Sequence, residues 1–180
     1  MIRDFEIIND ECFINFWGEG ALRVINELPY IDKISENLDV LALANWGLDR
    51  IDQKYLPLDN YPFTPSFTGR NITVYVLDTG VDAKHKELRN VKNGLNLVPD
   101  EGFEDLNGHG THCAGIVASS TYGVARNASI VNVKVLNTKG IGSTIGVISA
   151  ISWATRDAIS RNLTAILSLS LGGSFSKALN

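Results

Sequence analysis

Ile72-Thr73-Val74-Tyr75-Val76-Leu77-Asp78-Thr79-Gly80 decides how the rest of the chain is read. A β-branched, apolar run that stops at a carboxylate and a glycine reads as a buried parallel strand carrying an acid to its C-terminal end. In open α/β sheets, ligands and chemistry sit at that edge. Further along comes Asn107-Gly108-His109-Gly110-Thr111-His112-Cys113-Ala114-Gly115, which places two histidines three apart where a helix begins. Gly108 and Gly110 flank the first histidine, so the backbone can approach a ligand there without a Cβ in the way. Asp78 and His109 can therefore meet at one sheet edge.

Working outward, the pattern alternates. Gly94–Val98 reads as a short strand, and His109–Ser120 as a helix with Cys113, Ile116 and Val117 facing inward. Ala128–Leu136 reads as a buried strand, and Val147–Ala158 as a long helix carrying Ile148, Ile151, Trp153 and Ala154. Ala165–Leu171 reads as a third parallel strand ending in Gly172-Gly173, with another helix expected from Phe175 onward. Strand, helix, strand, helix, strand implies the α/β class: a parallel sheet flanked by helices, joined by right-handed crossovers. Pro57, Pro62 and Pro65 mark Leu56–Gly69 as a surface connection. Pro99–Asn107 is an acidic loop (Asp100, Glu101, Glu104, Asp105) expected to orient the His109 helix; a structural calcium site is an alternative use of such carboxylates. Residues 1–44 read as a separate small α+β segment. Its strands are expected at Phe5–Ile8 and Cys12–Phe16, a helix at Ala21–Leu28 stopped by Pro29, and further strands at Tyr30–Ile34 and Leu38–Leu41.

Composition narrows the function. At 180 residues, 44% hydrophobic and 20% charged, the chain is globular in type. A net charge of −4 without a basic run argues against nucleic acid as partner. No apolar stretch has the length of a membrane span. Met1–Glu6 does not read as a signal peptide, because acids interrupt it and no long apolar stretch follows. Cys12 and Cys113 make no disulfide framework and have no zinc spacing. His109 and His112 share a helix face, but no acid lies between them as in the zinc peptidase motif, so no metal site and no cofactor are assigned. Gly140, Gly142 and Gly146 miss the dinucleotide-binding spacing by one residue.

Three motifs carry a resemblance. Asp78-Thr79-Gly80-Val81-Asp82, then Asn107–Gly115, then Ser170-Leu171-Gly172-Gly173 are similar, in order and spacing, to successive motifs of the subtilisin-like serine proteases (peptidase S8). The resemblance covers residues 45–180, and Cys113 is most similar to the proteinase K and cerevisin branch. It implies peptide-bond hydrolysis by an Asp-His-Ser triad, with Asp78 the orienting acid and His109 the general base. His112 corresponds to a structural histidine. The serine nucleophile is expected in a Gly-Thr-Ser-Met-Ala-like segment past Asn180, so residues 1–180 read as an N-terminal part that is inactive alone. Gly140 and Gly142, with Ser170, Leu171 and Gly172, resemble the two extended segments that sandwich a substrate peptide by β-augmentation. Leu136, Val147 and Leu171 would line apolar pockets, and Thr144 stands where many relatives carry an aromatic. The Cys113 thiol would sit under the histidine and confer sensitivity to mercurials.

Residues 1–44 resemble the second half of an inhibitor-type propeptide, which makes the chain's own propeptide a partner beside protein or peptide substrates. Asn45–Gln53 resembles the start of the mature enzyme. The resemblance implies a secreted or vacuolar protein, and the sequons at Asn71, Asn127 and Asn162 accord with that. A competing reading takes the chain as a truncated, non-catalytic remnant that binds peptides or inhibits a full-length relative through residues 1–44.

Overall fold

The computed structural model describes residues 2–8, 11–16 and 45–173. The chain divides into two compact units, Met1–Ala42 and Leu43–Asn180. In the first, β1 (Ile2–Ile8) and β2 (Glu11–Phe16) pair antiparallel, with Ile7 opposite Cys12. Both strands contain the expected segments and start earlier. The helix expected at Ala21–Leu28, the strands expected between Tyr30 and Leu41, and the helix expected from Phe175 lie outside the described residues.

The second unit runs α1 (Trp46–Asp52), β3 (Ile72–Asp78), β4 (Val91–Asn96), α2 (His109–Ala118), β5 (Ser129–Lys134), α3 (Thr144–Ser160) and β6 (Thr164–Ser168). Its sheet has the order β4-β5-β3-β6, and every pair is parallel. The Asp78 strand is thus central: Val74 lies opposite both Ile130 of β5 and Ile166 of β6. Helices cover both faces of β3 and β5, which is why these strands read as near-continuous apolar runs.

Alternation along the strands sorts their side chains between two cores. Tyr75 and Leu77 of β3, with Val131 and Val133 of β5, pack against Val147, Ala150, Ala154 and Ala158 of α3. Val74, Val76 and Ile130 join Ala114 and Ala118 of α2 on the opposite face. On α3 the alanines recur every fourth residue, a smooth stripe that lets the helix lie close to the sheet. Trp153 beside that stripe meets the Tyr75 ring edge-on, with centroids 6.2 Å apart, and the Tyr75 hydroxyl donates to Asp157 at 2.6 Å. Burial, then the hydrogen bond to Asp157, push the Tyr75 phenol up to about 12. Asn45 caps α1 by accepting from Gly47 N and Leu48 N, and Ser143 caps α3 by accepting from Gly146 N.

Three expectations shift. Strand β4 spans Val91–Asn96 rather than Gly94–Val98. Strand β6 ends at Ser168, not Leu171, because its last pairing is Val76 with Ser168; Leu169–Gly173 run on past the sheet edge. On α2 the inward stripe is Gly110, Ala114 and Ala118, while Ile116 is 54% exposed. Two residues from Ala114 and two from Ala118, Ile116 falls on the opposite side of a helix of 3.6 residues per turn. Cys113 and Val117 do pack partly against the core.

Candidate active site

Asp78 ends β3 at an even-numbered position, so the alternation that sends Val74 and Val76 toward α2 sends its carboxylate there too. The side chain is 1% exposed. Oδ1 accepts from Thr79 N at 2.7 Å and lies 2.7 Å from His109 Nδ1, while Oδ2 is buried without a hydrogen-bond partner among the described residues. A carboxylate can only accept, so the imidazole proton sits on Nδ1 and Nε2 carries the lone pair. His109 is 47% exposed, with its ring at the surface and its anchor in the core. The hydrogen bond to Asp78 and the charge of that carboxylate raise the imidazole pKa above its ordinary 6.5; partial burial opposes the rise and the Asp105 charge adds to it.

The helix that carries His109 starts in an unusual way. Its N-cap, Gly108, is left-handed (φ 99°) and offers no side-chain cap. The free N–H groups of the first turn find partners elsewhere. His109 N donates to Asn107 Oδ1, Gly110 N to Thr79 Oγ1, and Thr111 N to Asp105 Oδ2. Asp105 also accepts from Asn107 N, Gly108 N, Thr79 Oγ1 and Thr111 Oγ1. Burial pushes this carboxyl up, but the hydrogen bonds from Thr111, Gly108 and Thr79 outweigh it and hold the pKa below its ordinary 3.8. The acidic loop thus orients the His109 helix. Both Asp105 oxygens are thus used on the start of the helix and on Thr79.

Lys134, the last residue of β5, is wholly buried on the same face. Its ammonium donates to Thr79 O and, at 3.3 Å, to Glu104 O, and pairs with Glu101 at 3.1 Å. The amide of Thr138 and then Lys134 hold the Glu101 pKa below its ordinary value. Sequence reasoning missed Thr79 and Lys134. One signal was present for the lysine: a charge between Val133 and Val135, in a strand with both faces covered, needs buried partners.

His109 lines an open cleft of about 1330 Å³, as do Gly140, Gly142, Ser170, Leu171 and Gly172. All the residues named from the sequence as substrate-contacting therefore come together beside the Asp78–His109 pair. Leu136 and Val147 form part of its wall, with Thr144 exposed at the rim. A Cβ on Gly142 would lie 2.3 Å from Val135 O, and Gly140 has φ 73°, so both glycines are needed by the backbone itself. The half-buried Cys113 places Sγ 4.0 Å from His109 Nε2. Asp78, His109 and Cys113 are the donors close enough together to share a metal ion among the described residues, and they are the same side chains that form the pair and its neighbour. His112 is exposed and lies in a different groove, beside Ile116.

The sequence profile of the Subtilase family matches residues 69–180. The chain is 38% identical to a cuticle-degrading serine protease of Arthrobotrys oligospora, over 93% of this chain and 43% of that protein. It is 46% identical to alkaline serine exoprotease A of Vibrio alginolyticus, over 93% of this chain and 33% of that one. The crystal structure of a cold adapted subtilisin-like serine proteinase superposes with a TM-score of 0.68 at 44% identity, covering 77% of this chain and 50% of that chain. The chain thus spans less than half the length of these two curated relatives.

Proposed function

The chain belongs to the subtilase family of serine peptidases, and from that premise we propose that it supplies the acid and the base of a peptide-bond hydrolysis whose nucleophile is a serine beyond residue 180. Asp78 fixes the Nδ1–H tautomer of His109 and stabilises the imidazolium. His109 Nε2 takes the serine proton and later returns it to the leaving amine. The extended segments around Gly140–Gly142 and Ser170–Gly172 hold a substrate peptide by backbone pairing, next to Nε2. Residues 45–180 form the first part of the peptidase domain, and residues 1–44 act on it as part of a propeptide. The whole protein is secreted and cleaves protein substrates.

One observation supports this reading above the others: a buried carboxylate 2.7 Å from an imidazole that opens on a peptide-sized cleft. These residues act as a unit, so two of three do not give two-thirds of the rate. The test is to sequence the transcript through codon 180 and assay both products on a protein substrate. The longer product is expected to hydrolyse it and to lose about 10⁶-fold in kcat on His109→Ala, with residues 1–180 alone inactive. Hydrolysis by residues 1–180 alone, abolished by His109→Ala, would sink the assignment of the nucleophile. A transcript that stops at Asn180 would make peptide binding the function to measure.

A further inference from the structure

Thr79 is almost wholly buried, and every polar atom it has is engaged around the acid and the base. Its N–H donates to Asp78 Oδ1 at 2.7 Å. Its hydroxyl donates to Asp105 Oδ1 at 2.8 Å and accepts from Gly110 N at 3.0 Å. Its carbonyl accepts from the buried Lys134 ammonium. Asp105 then uses its other oxygen on Thr111 N at 2.8 Å and Thr111 Oγ1 at 2.6 Å. The two residues that follow His109 in the first turn of α2 are thereby tied, directly or through one carboxylate, to the residue that follows Asp78. Gly108 gives that turn no side-chain cap of its own.

We propose that Thr79 is a positioning residue: its hydroxyl, shared between Gly110 N–H and Asp105, sets the distance between the Asp78 carboxylate and the His109 imidazole. The inference rests on the Asp78–His109 pairing proposed above and adds a cause for it. A hydroxyl suits the position because it donates to one partner and accepts from the other. Valine has nearly the same shape and neither capacity. Substitution would leave the Gly110 N–H without its partner and Asp105 one donor short, and a helix start freed from the strand end no longer fixes the ring.

Side-chain NMR of His109 across pH, in the full 180-residue chain, tests this, with His85 and His112 as internal references. Among the described residues, Asp78 and the Cys113 thiol are the titratable groups in contact with the ring, and the Asp105 charge acts on it from further off. Thr79→Val changes none of their charges, whereas Asp105→Asn would alter the field as well as the clamp. The wild-type midpoint is expected above 6.5. Thr79→Val is expected to shift it downward with Asp78 intact, and Thr79→Ser to keep it at the wild-type value. In an Asp78→Asn background, Thr79→Val is expected to have no further effect. An unchanged His109 midpoint in Thr79→Val overturns the clamp and leaves the pairing standing. A wild-type midpoint at the ordinary value, indifferent to Asp78→Asn, overturns the pairing and the clamp with it. If Thr79→Val does not fold, Thr79→Ala takes its place, since it removes the same hydroxyl from Asp105 and from Gly110 N. The same downward shift is then expected, and no shift overturns the proposal.

Discussion

At Gly110 a single methyl group probes the geometry of the site. A Cβ there would stand 2.1 Å from Gly80 O and 3.0 Å from Asp78 Cβ, so the start of the helix must retreat from the strand end. Gly110→Ala is expected to cost about 1–3 kcal/mol of stability by overpacking, read as a lower Tm. In a protein that carries the nucleophile it should lower kcat/KM by about 10²-fold, the effect of a displacement near 1 Å. The imidazole itself sets a pH dependence of two signs. Its folded-state pKa is raised, so the His109–Asp78 pair adds stability that is fully present below the ordinary value of 6.5 and is lost as pH rises through the raised one. In the proposed mechanism the base is the neutral ring, so in a protein that carries the nucleophile activity should rise over that same upper window. Asp78→Asn is expected to move the acidic limb of the kcat/KM profile downward while kcat falls by about 10⁴-fold. Asp78 and His109 were legible in the sequence because residue type, glycine flanks and order converge on them. Thr79 was not, since a threonine after a strand says nothing about which donors and acceptors the fold brings to it.

Among the described helices, α2 has its start set by residues outside it, whereas α1 and α3 carry their own N-cap side chains. Asp105 caps its first turn from three residues before the N-cap and binds the preceding loop at the same time. Asp105→Ala is expected to destabilise the unit by about 2 kcal/mol, the upper end for a lost cap, in urea denaturation. It should also speed amide exchange at Gly108 and Thr111 ahead of the rest of the helix. On the other face of the sheet, the alanine stripe of α3 leaves no room for a larger side chain. Ala154, wholly buried, should tolerate leucine poorly, at about 1–3 kcal/mol. The sequence showed α3 through apolar residues that recur at helical spacing, and α2 through the glycine-flanked histidines at its start. It misassigned Ile116, because a helix made of small residues has a weak periodic signal and glycine and alanine, not the largest apolar side chain, mark the face that touches the sheet.

For the whole molecule, the sheet order decides where polar groups gather. The buried Asp78, Thr79, Asn132 and Lys134 lie on β3 and β5 or at their ends; the alternation puts Asp78, Asn132 and Lys134 on the α2 side, toward the C-terminal edge. Lys134→Met removes the donor to Thr79 O and Glu104 O and leaves Glu101 without its partner. The expected loss is about 3 kcal/mol, at the lower end for a broken buried pair because Glu101 can rehydrate, measured by the shift in denaturation midpoint. Among the described residues β6 ends the sheet, and Ile166 on it is 56% exposed. An apolar sheet edge is a template for association. The isolated 180-residue chain is therefore expected to self-associate in sedimentation, and Ile166→Lys to reduce that association; a monomer at high concentration would contradict it.

By itself, the sequence determined the α/β class, the strand that ends in Asp78, the histidine at a helix start and the segments that border the cleft. The first three are written locally, in the period of apolar residues and in glycines; the segments that border the cleft come from the resemblance of ordered motifs to the protease family. Tertiary structure alone decided the rest: the pairing of β3 with both β5 and β6, the face on which Asp78 meets His109, the capping of α2 by Asp105 and the burial of Lys134 against Thr79 O. These depend on which buried donors and acceptors are left over once the strands have paired. Every such group must find a partner, but no local pattern names which partner it will be.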